Sequence, residues 1–331
     1  MAQEEAPPWE PTGELPADQA GGGRGYALAG EGATVAERGT SRIAVHMVAA
    51  NYFYREQTSD YLITQRYESH TLALDFRRGF QAARGPRFEL GAQLRLSHRD
   101  DGFLNGFISA FESLSLSISG VESAKNQWRT GGTALPLGAF VTRNGRPVYA
   151  APGVTSGIGG VSVVAKALLL DASPRSRGTR LAARVGLNVA GASQFTEGHF
   201  LGAGLGLDKK VSSWAAVHGD LRSTVALDRT SSWNLPLKRT TVGFSIGPEL
   251  RLSRGSSLTM QLDGNTSPYL PTGTLGFDKG YGSITVGVGH RFGSVVSQLY
   301  VRENMNLPFR VRWNTEPDAS FGLKISFRPH R

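Results

Sequence analysis

The stretch RFELGAQLRLS, residues Arg87 to Ser97, alternates apolar residues with charged, polar or small ones. The apolar set is Phe88, Leu90, Ala92, Leu94 and Leu96, and the other set is Glu89, Gly91, Gln93, Arg95 and Ser97. Successive side chains of a β-strand point to opposite faces, so the pattern predicts a strand with one apolar and one polar face. Its length exceeds the roughly 5–6 residues of an average globular strand and suits the roughly 9–11 needed to cross a bilayer.

The same alternation returns in about twelve segments after residue 40. They lie near residues 41–53, 69–80, 87–97, 157–170, 178–190, 199–209, 213–228, 238–252, 257–264, 281–291, 295–304 and 318–327. Short, turn-like links follow the even-numbered segments, and longer links follow the odd-numbered ones, among them 54–68 and 98–156. Bacterial outer-membrane barrels show this alternation of links and an even number of strands.

The predicted fold is therefore all-β: a single antiparallel up-and-down transmembrane barrel of about 12 strands over residues 41–327. We expect a bacterial outer-membrane protein of a Gram-negative cell, porin-like, with both termini in the periplasm. Residues 1–40 are rich in Pro, Gly and Glu without periodicity and are predicted to be a mostly disordered periplasmic segment. Residues 328–331 form a short tail.

Composition narrows the possible partners and chemistry. The 331 residues include no cysteine, which excludes a disulfide scaffold, a cysteine zinc site and a thiol nucleophile. The net charge of +9 is spread along the chain, so no nucleic-acid partner is expected. The partners expected instead are membrane lipid and lipopolysaccharide, while the oligomeric state is left open.

Placing the apolar faces against lipid turns the polar faces into the barrel lumen. The predicted lumen-lining or pore-lining residues are Arg95, Arg184, Arg222, Arg251, Arg302, Lys324, Glu89, Asp220 and Glu249. Basic residues outnumber acidic ones on these faces, so conduction would favour anions, unless the charges pair across the lumen. Twelve strands predict a narrow pore that one folded segment could close.

Glycines and aromatic residues add two further expectations. Glycine weakens a strand unless something must approach the backbone closely, so lumen glycines such as Gly186, Gly206, Gly287 and Gly289 indicate either a packed plug or ligand, or tight barrel curvature. Aromatic residues are expected to form two interfacial girdles. One contains Phe80, Phe88, Phe292 and Phe327 at the short-turn end; the other contains Tyr52, Tyr54, Tyr61, Tyr67, Trp233, Tyr269, Phe309 and Trp313 at the long-loop end.

The connection 98–156 is the longest irregular segment and the candidate constriction or lid. Apolar residues recur in it at helical spacing, at Phe103, Leu104, Phe107, Ile108 and Phe111. Such a stripe is costly in water, so it should fold into the lumen, lie on the outer leaflet or contact a partner. Asn144 and Gly145 in the same connection predict a hairpin with a tight type I′ turn.

The last strand resembles the assembly signal of bacterial outer-membrane barrels. Ser320, Gly322, Ile325 and Phe327 occupy its polar, glycine, hydrophobic and aromatic positions, which implies the barrel-assembly machinery as a partner. The stretches RDDGFLNGFISAFES (99–113) and RENMNLPFRVRWNTEPDASFGLKISF (302–327) are similar to a family of uncharacterised bacterial outer-membrane β-barrels, known as a domain of unknown function. This resemblance implies the architecture and no activity.

The function expected from the sequence is a narrow or loop-gated pore, or a binding channel, for small anionic or amphipathic solutes. One alternative is a non-conducting barrel that binds a lipid or a protein through the 103–111 stripe, and a more distant one is a lipid-modifying enzyme. Gly-x-Ser-x-Gly occurs at 243–247, but within a continuous strand and not at a nucleophile elbow. The histidines have no metal-ligand spacing, so no catalytic residue, metal or cofactor is expected.

Overall fold

The computed structural model describes residues 10–16, 28, 30–81, 85–104, 135–172, 178–192, 195–196, 198–304 and 319–327. Within these ranges lie fourteen strands and one short helix. They are β1 (Ser41–Gln57), β2 (Tyr61–Gln81), β3 (Arg87–Asp100), β4 (Gly138–Arg143), β5 (Arg146–Pro152), β6 (Thr155–Asp171), β7 (Thr179–Ala190), β8 (Phe200–Lys210), β9 (Ala215–Ala226), β10 (Thr240–Arg251), β11 (Ser256–Asn265), α1 (Leu275–Asp278), β12 (Tyr281–Phe292), β13 (Val295–Asn304) and β14 (Ala319–Phe327). In the described ranges, no helix has the length and apolar character that crossing a bilayer requires.

Twelve of the strands form a closed antiparallel barrel, as the alternation predicts. β1, β2, β3 and β6 to β14 pair in sequence order, and β14 pairs back to β1 from Ile43↔Phe327 to Asn51↔Ala319. Closure satisfies the backbone hydrogen-bonding groups of both terminal strands, which no open sheet can do in lipid. The twelve predicted strands are therefore confirmed.

The two faces of the barrel wall differ as the alternation requires. Outward-facing apolar side chains are exposed around the circumference, for example Phe76, Val163, Val185 and Ile246 at 47%, 53%, 55% and 52%. Inward-facing polar side chains are buried, for example Glu89 at 0%. The apolar outer wall suits lipid, and the buried inner face indicates a lumen that is filled.

The first two strands are longer than predicted. They extend to Gln57 and from Tyr61, so the expected loop 54–68 is an extended hairpin with a turn at 58–60. The extension of β2 also pairs with β4, from Tyr61↔Arg143 to Arg66↔Gly138. These strands therefore continue beyond the barrel as a paired hairpin. The alternation of outward apolar residues alone does not reveal this extension.

The hairpin predicted inside the long connection is confirmed. β4 and β5 pair on either side of Asn144 and Gly145, whose φ angles are 50° and 73°. A type I′ turn requires positive φ at both central residues, and Asn and Gly tolerate it best.

The predicted aromatic girdle at the long-loop end is wrong for its described members. Tyr52, Tyr54, Tyr61 and Tyr67 are 2–7% exposed and belong, with Trp233 and Tyr269, to a buried apolar cluster. Their inward orientation follows from the strand parity of β1 and β2, which places them inside the barrel mouth. Phe309 and Trp313 lie outside the described residues.

At the short-turn end of the barrel, the aromatic side chains predicted for a girdle do reach the outer wall. Phe292 and Phe327 are 64% and 47% exposed on the outer wall, and the Phe80 and Phe88 rings stack with centroids 5.4 Å apart. Aromatic side chains therefore do lie at this end, where the sequence placed a girdle.

Residues 10–16, 28 and 30–36, called the N-terminal segment below, lie inside the barrel. Leu15, Leu28 and Ala33 are at most 4% exposed, and Thr12 is 1% exposed. This corrects the expectation of a mostly disordered periplasmic lead-in as far as the described residues reach. The sequence lacks periodicity here because an irregular segment packed in a lumen needs none.

Candidate functional site: a filled barrel lumen

The first part of the N-terminal segment binds one side of the lumen wall. The backbone N–H and Oγ1 of Thr12 donate to Glu249 Oε1 at 2.6 and 2.8 Å, and the N–H of Gly13 donates to Glu249 Oε2 at 3.0 Å. Gln298 Nε2 donates to the Gly13 carbonyl at 2.9 Å. Glu249 lies on β10 and Gln298 on β13, so this contact covers the arc from β10 to β13.

Glu14 is a buried carboxyl group within the same contact. The Ser245 hydroxyl donates to Glu14 Oε1. Burial, followed by the nearby charge of Asp220, raises the pKa of Glu14 to about 7, although the Ser245 hydrogen bond, His218 and Arg184 act in the opposite direction. While the segment is docked, Glu14 therefore keeps its proton up to a higher pH than a solvent-exposed carboxyl group does.

The second part of the segment places Glu31 among four cationic side chains. Its carboxylate lies 2.9 Å from Arg42 Nη2, 3.0 Å from Lys166 Nζ, 3.5 Å from Arg184 Nη1 and 3.6 Å from Arg77 Nη2. Burial acts against its ionisation, but the charges of Lys166 and the three arginines outweigh burial and hold the pKa of Glu31 well below its ordinary value. Lys166 also donates to the Gly32 and Thr34 carbonyls, at 2.5 and 2.8 Å.

These two contacts lie on different sides of the barrel. Glu31 contacts β1, β2, β6 and β7, and the Ala36 N–H donates to Glu89 on β3 at 2.7 Å. In the ring of twelve strands, β10 is six strands away from β2. The N-terminal segment therefore crosses the lumen from one wall to the opposite one.

Four lumen glycines provide room for this segment. A Cβ atom added at Gly206 would lie 2.6 Å from the Glu31 carbonyl oxygen, and one at Gly289 would lie 2.3 Å from Thr12 Oγ1. Added Cβ atoms at Gly186 and Gly287 would lie 2.6 and 2.9 Å from Leu28 and Leu15. Of the two explanations offered by the sequence, close approach to the backbone accounts for these four positions.

The predicted lumen-lining residues lie on inward-facing strand positions. Seven are buried, and Arg251 and Lys324 are half-buried; the buried ones are Arg95, Arg184, Arg222, Arg302, Glu89, Asp220 and Glu249. Most find polar partners on the same strand or two strands away along the wall: Asp220 contacts Arg184 and Arg222, and Arg95 donates to Asn188 at 3.0 Å. His218, on the same lumen face of β9 as Asp220 and Arg222, lies between Asp208 and Glu249 at 2.7 Å from each.

Four aromatic side chains, called the aromatic lid below, meet at the barrel mouth at the long-loop end: Tyr149, Trp233, Tyr269 and Phe277. The rings of Tyr149 and Trp233 stack at 4.8 Å, and Phe277 packs edge-on against Trp233 and Tyr269 at 5.7 and 5.0 Å. Tyr149 belongs to the hairpin on β2, whereas Trp233 belongs to the β9–β10 loop on the opposite wall. The stacked pair therefore spans the mouth.

Within the predicted constriction 98–156, β5 contributes Tyr149 to this aromatic cluster. Its apolar stripe is described only at its start, where Phe103 is 68% exposed and Leu104 is 2% exposed. The Phe103 ring packs against His70 at 6.5 Å. Phe107, Ile108 and Phe111 lie outside the described residues.

A polar cluster on the outer wall was missed by sequence reasoning. His70, His98, Asp100 and Ser156 face outward on β2, β3 and β6, where lipid-facing positions are otherwise apolar. Glu68, His70 and Asp100 each offer one ligand atom, and these atoms lie within 4.8 Å of one another. The signal available in the sequence was a break in the apolar alternation at the same end of three strands, but their register was needed to bring the breaks together.

The assembly-signal residues Ser320, Gly322, Ile325 and Phe327 lie on the closing strand. Ile325 and Phe327 face outward, at 41% and 47% exposure. Gly322 faces inward beneath the Tyr300 ring, which an added Cβ would meet at 2.0 Å.

The chain was compared with known proteins. A model of a protein family of unknown function, DUF3187, matches residues 27–328. The chain belongs to this family. No curated protein matches the sequence.

Solved structures support the fold of this DUF3187 protein. The COG4313 outer membrane channel from Pseudomonas putida F1 matches with a TM-score of 0.59 at 12% identity, over 89% of this chain and 97% of that chain. A FadL homologue from Pseudomonas aeruginosa matches at 9% identity, over 97% of this chain and 100% of the other, with a TM-score of 0.41. At 12% identity, the likeness to the COG4313 channel shows a shared fold. With the apolar outer wall, the fold identifies an outer-membrane β-barrel.

Proposed function

We propose that this protein is a gated outer-membrane channel for small solutes, with the N-terminal segment as its internal plug. The single observation that carries the proposal is the crossing of the lumen by this segment. It is joined covalently to the barrel only through β1 and is held elsewhere by hydrogen bonds and ion pairs, so it can withdraw without breaking the strand pairing.

Withdrawal changes the charge of the lumen. Arg42, Arg77, Lys166 and Arg184 would lose the Glu31 carboxylate that lies 2.9–3.6 Å from them. Arg42 and Arg77 keep Glu89, and Arg184 keeps Asp220, so the departure of Glu31 removes one negative charge from this cluster. The lumen then carries more positive charge than in the closed state, and the open state should prefer anionic solutes.

The orientation of the channel follows from its links. Short turns of outer-membrane barrels face the periplasm, and the N-terminal segment enters at the short-turn end beside Ser41. The plug is then accessible to periplasmic factors and the aromatic lid to the outside, where lipopolysaccharide is the expected neighbour. The assembly machinery would engage β14 before it closes against β1.

A reversible lock tests the plug. Because the chain has no cysteine, Thr12→Cys with Gly289→Cys introduces one defined pair. A Cβ at position 289 lies 2.8 Å from Thr12 Cβ, shorter than the roughly 3.5–4.5 Å of a disulfide, so a small shift of the segment is enough. In planar bilayers the oxidised variant should remain closed and the reduced variant should conduct.

The aromatic lid is a second barrier, so the same recordings are made with Trp233→Ala added. Thr12→Cys alone is the matched control and should not respond to oxidation. No conductance from the reduced double-cysteine variant carrying Trp233→Ala would refute the channel.

A second candidate rests on Phe103. Its side chain is 68% exposed beside the outer wall, which favours a barrel that binds a lipid or a protein through this surface. Loss of a co-purified lipid or subunit on Phe103→Asp, with Phe292→Asp as an outer-wall control at the other end, would support it.

A further inference from the structure

The outer wall carries one row of polar side chains across three neighbouring strands. The register places His70 opposite His98, and His98 opposite Ser156. Two positions nearer the middle of the wall, the same register aligns Leu72, Leu96 and Ile158. The polar row therefore marks the place where the lipid-facing apolar surface ends.

Three side chains in this region form a serine–histidine–carboxylate chain. Ser156 Oγ lies 2.7 Å from His98 Nδ1, and His98 Nε2 lies 3.3 Å from Asp100 Oδ2. His70 Nε2 lies 3.1 Å from Asp100 Oδ1 and holds the carboxylate from its other side. This order of groups matches a nucleophile, a general base and the residue that orients the base.

The Ser156, His98 and Asp100 side chains are accessible from the lipid side. Ser156 is exposed, and the His98 and Asp100 side chains are 41% and 30% exposed. His70, His98 and Ser156 line a cleft of about 850 Å³, whose other walls include Met47, Leu72, Leu299 and Leu323. An acyl chain fits an apolar cleft of this kind, and its polar end would lie beside Ser156.

The position of this polar row along the membrane normal indicates the class of substrate. Toward the long-loop end the next outward positions are charged, at Glu68 and Asp100, and toward the middle they are apolar. Polar, amphipathic side chains at such a boundary lie at the membrane interface, where the ester groups of membrane lipids are found.

We propose that Ser156 and His98, positioned by Asp100, form a site that hydrolyses carboxylic esters of membrane lipids in the leaflet at the long-loop end. The site goes beyond the proposed channel because it lies on the opposite face of the wall.

Ser156 Oγ attacks the ester carbonyl carbon while its proton passes to His98 Nδ1. A carbon–oxygen bond to Ser156 forms, the bond to the lipid alcohol breaks, and His98 returns the proton to the alcohol. Water, deprotonated by His98, then attacks the acyl carbonyl carbon, the bond to Ser156 Oγ breaks, and His98 returns the proton to Ser156 as the fatty acid is released. Asp100 holds the His98 ring with Nδ1 toward Ser156.

Fatty-acid release from a diacyl phospholipid in mixed micelles tests the site on the purified full chain. Wild type should release fatty acid and be labelled at Ser156 by a fluorophosphonate probe, located by mass spectrometry. Ser156→Ala should lose both signals. Asp100→Asn should lower kcat by roughly 10²-fold or more with little change in KM, as expected for a residue that positions the base.

Ser256→Ala is the matched control. Ser256 Oγ lies 2.7 Å from His290 Nδ1 at the short-turn end, so the same serine–histidine pair is removed there, and release should stay unchanged. Heat-modifiable migration checks that each variant is folded. Absence of both release and labelling in wild type overturns the proposal, and loss of release on chelation would assign the cluster to a metal instead.

Discussion

Replacing Glu31 by glutamine should release the plug from the lumen. The substitution keeps the size of the side chain but removes the negative charge that Arg42, Lys166, Arg184 and Arg77 surround at 2.9–3.6 Å. Removing one partner of a buried ion pair costs about 3–5 kcal/mol. Because Arg42 and Arg77 keep Glu89 as a partner and Arg184 keeps Asp220, we expect the lower end of this range, about 3 kcal/mol. Such a loss weakens docking by roughly 10²-fold.

The assay combines single-channel recording with protease protection of residues 10–36. Glu31→Gln should raise both the open probability and the rate of cleavage. Glu37→Gln is the matched control, since Glu37 lies in the same part of the chain with an exposed side chain. If the two variants behave alike in both measurements, the charge cluster does not hold the segment and the reasoning fails.

Three further predictions concern the lumen and the closing strand. The pKa of Glu14 is raised from 4.5 to about 7 in the docked segment, so docking should weaken as the pH rises from about 4.5 to about 7, by about 3 kcal/mol in all. The open probability of the wild-type channel should therefore rise between pH 5 and 8, and Glu14→Gln should abolish this rise. A Glu14→Gln variant with the wild-type pH profile would contradict the prediction. Gly206→Val should expose the segment to protease because a Cβ there meets the Glu31 carbonyl, whereas Gly219→Ala, whose Cβ lies 3.8 Å from the Ser245 carbonyl oxygen, should not. Gly322→Val should displace the Tyr300 ring and slow conversion to the heat-modifiable folded form on gels; folding at the wild-type rate would argue against the need for glycine at this position.

The orientation of side chains on the barrel wall could be predicted from the sequence. Strand parity placed Glu89, Arg184 and Asp220 inside and Ile325 and Phe327 outside, because side-chain direction in a strand depends only on position. The glycines contributed too: a strand that keeps Gly206 and Gly289 on its lumen face indicates a close neighbour, although not which one.

The occupant of the lumen could not be predicted in this way. Residues 1–40 have no periodicity, and their contacts with Glu249 and Lys166 join positions more than 130 residues apart. The connection 98–156 was predicted to be a constriction or lid, but the stacking of Tyr149 on Trp233 could not be predicted, because the strands that carry these two residues lie on opposite walls.

The sequence by itself determined the number of strands, the inward and outward faces and the closing strand, because each follows from alternation over neighbouring residues and from the lengths of the links. Only the tertiary structure decided that the lumen is filled by the N-terminal segment, that a lid spans the mouth, and that Ser156, His98 and Asp100 lie together on the outer wall. The physical reason is that these contacts depend on strand register and ring closure, which bring together residues whose spacing along the chain carries no signal of their proximity.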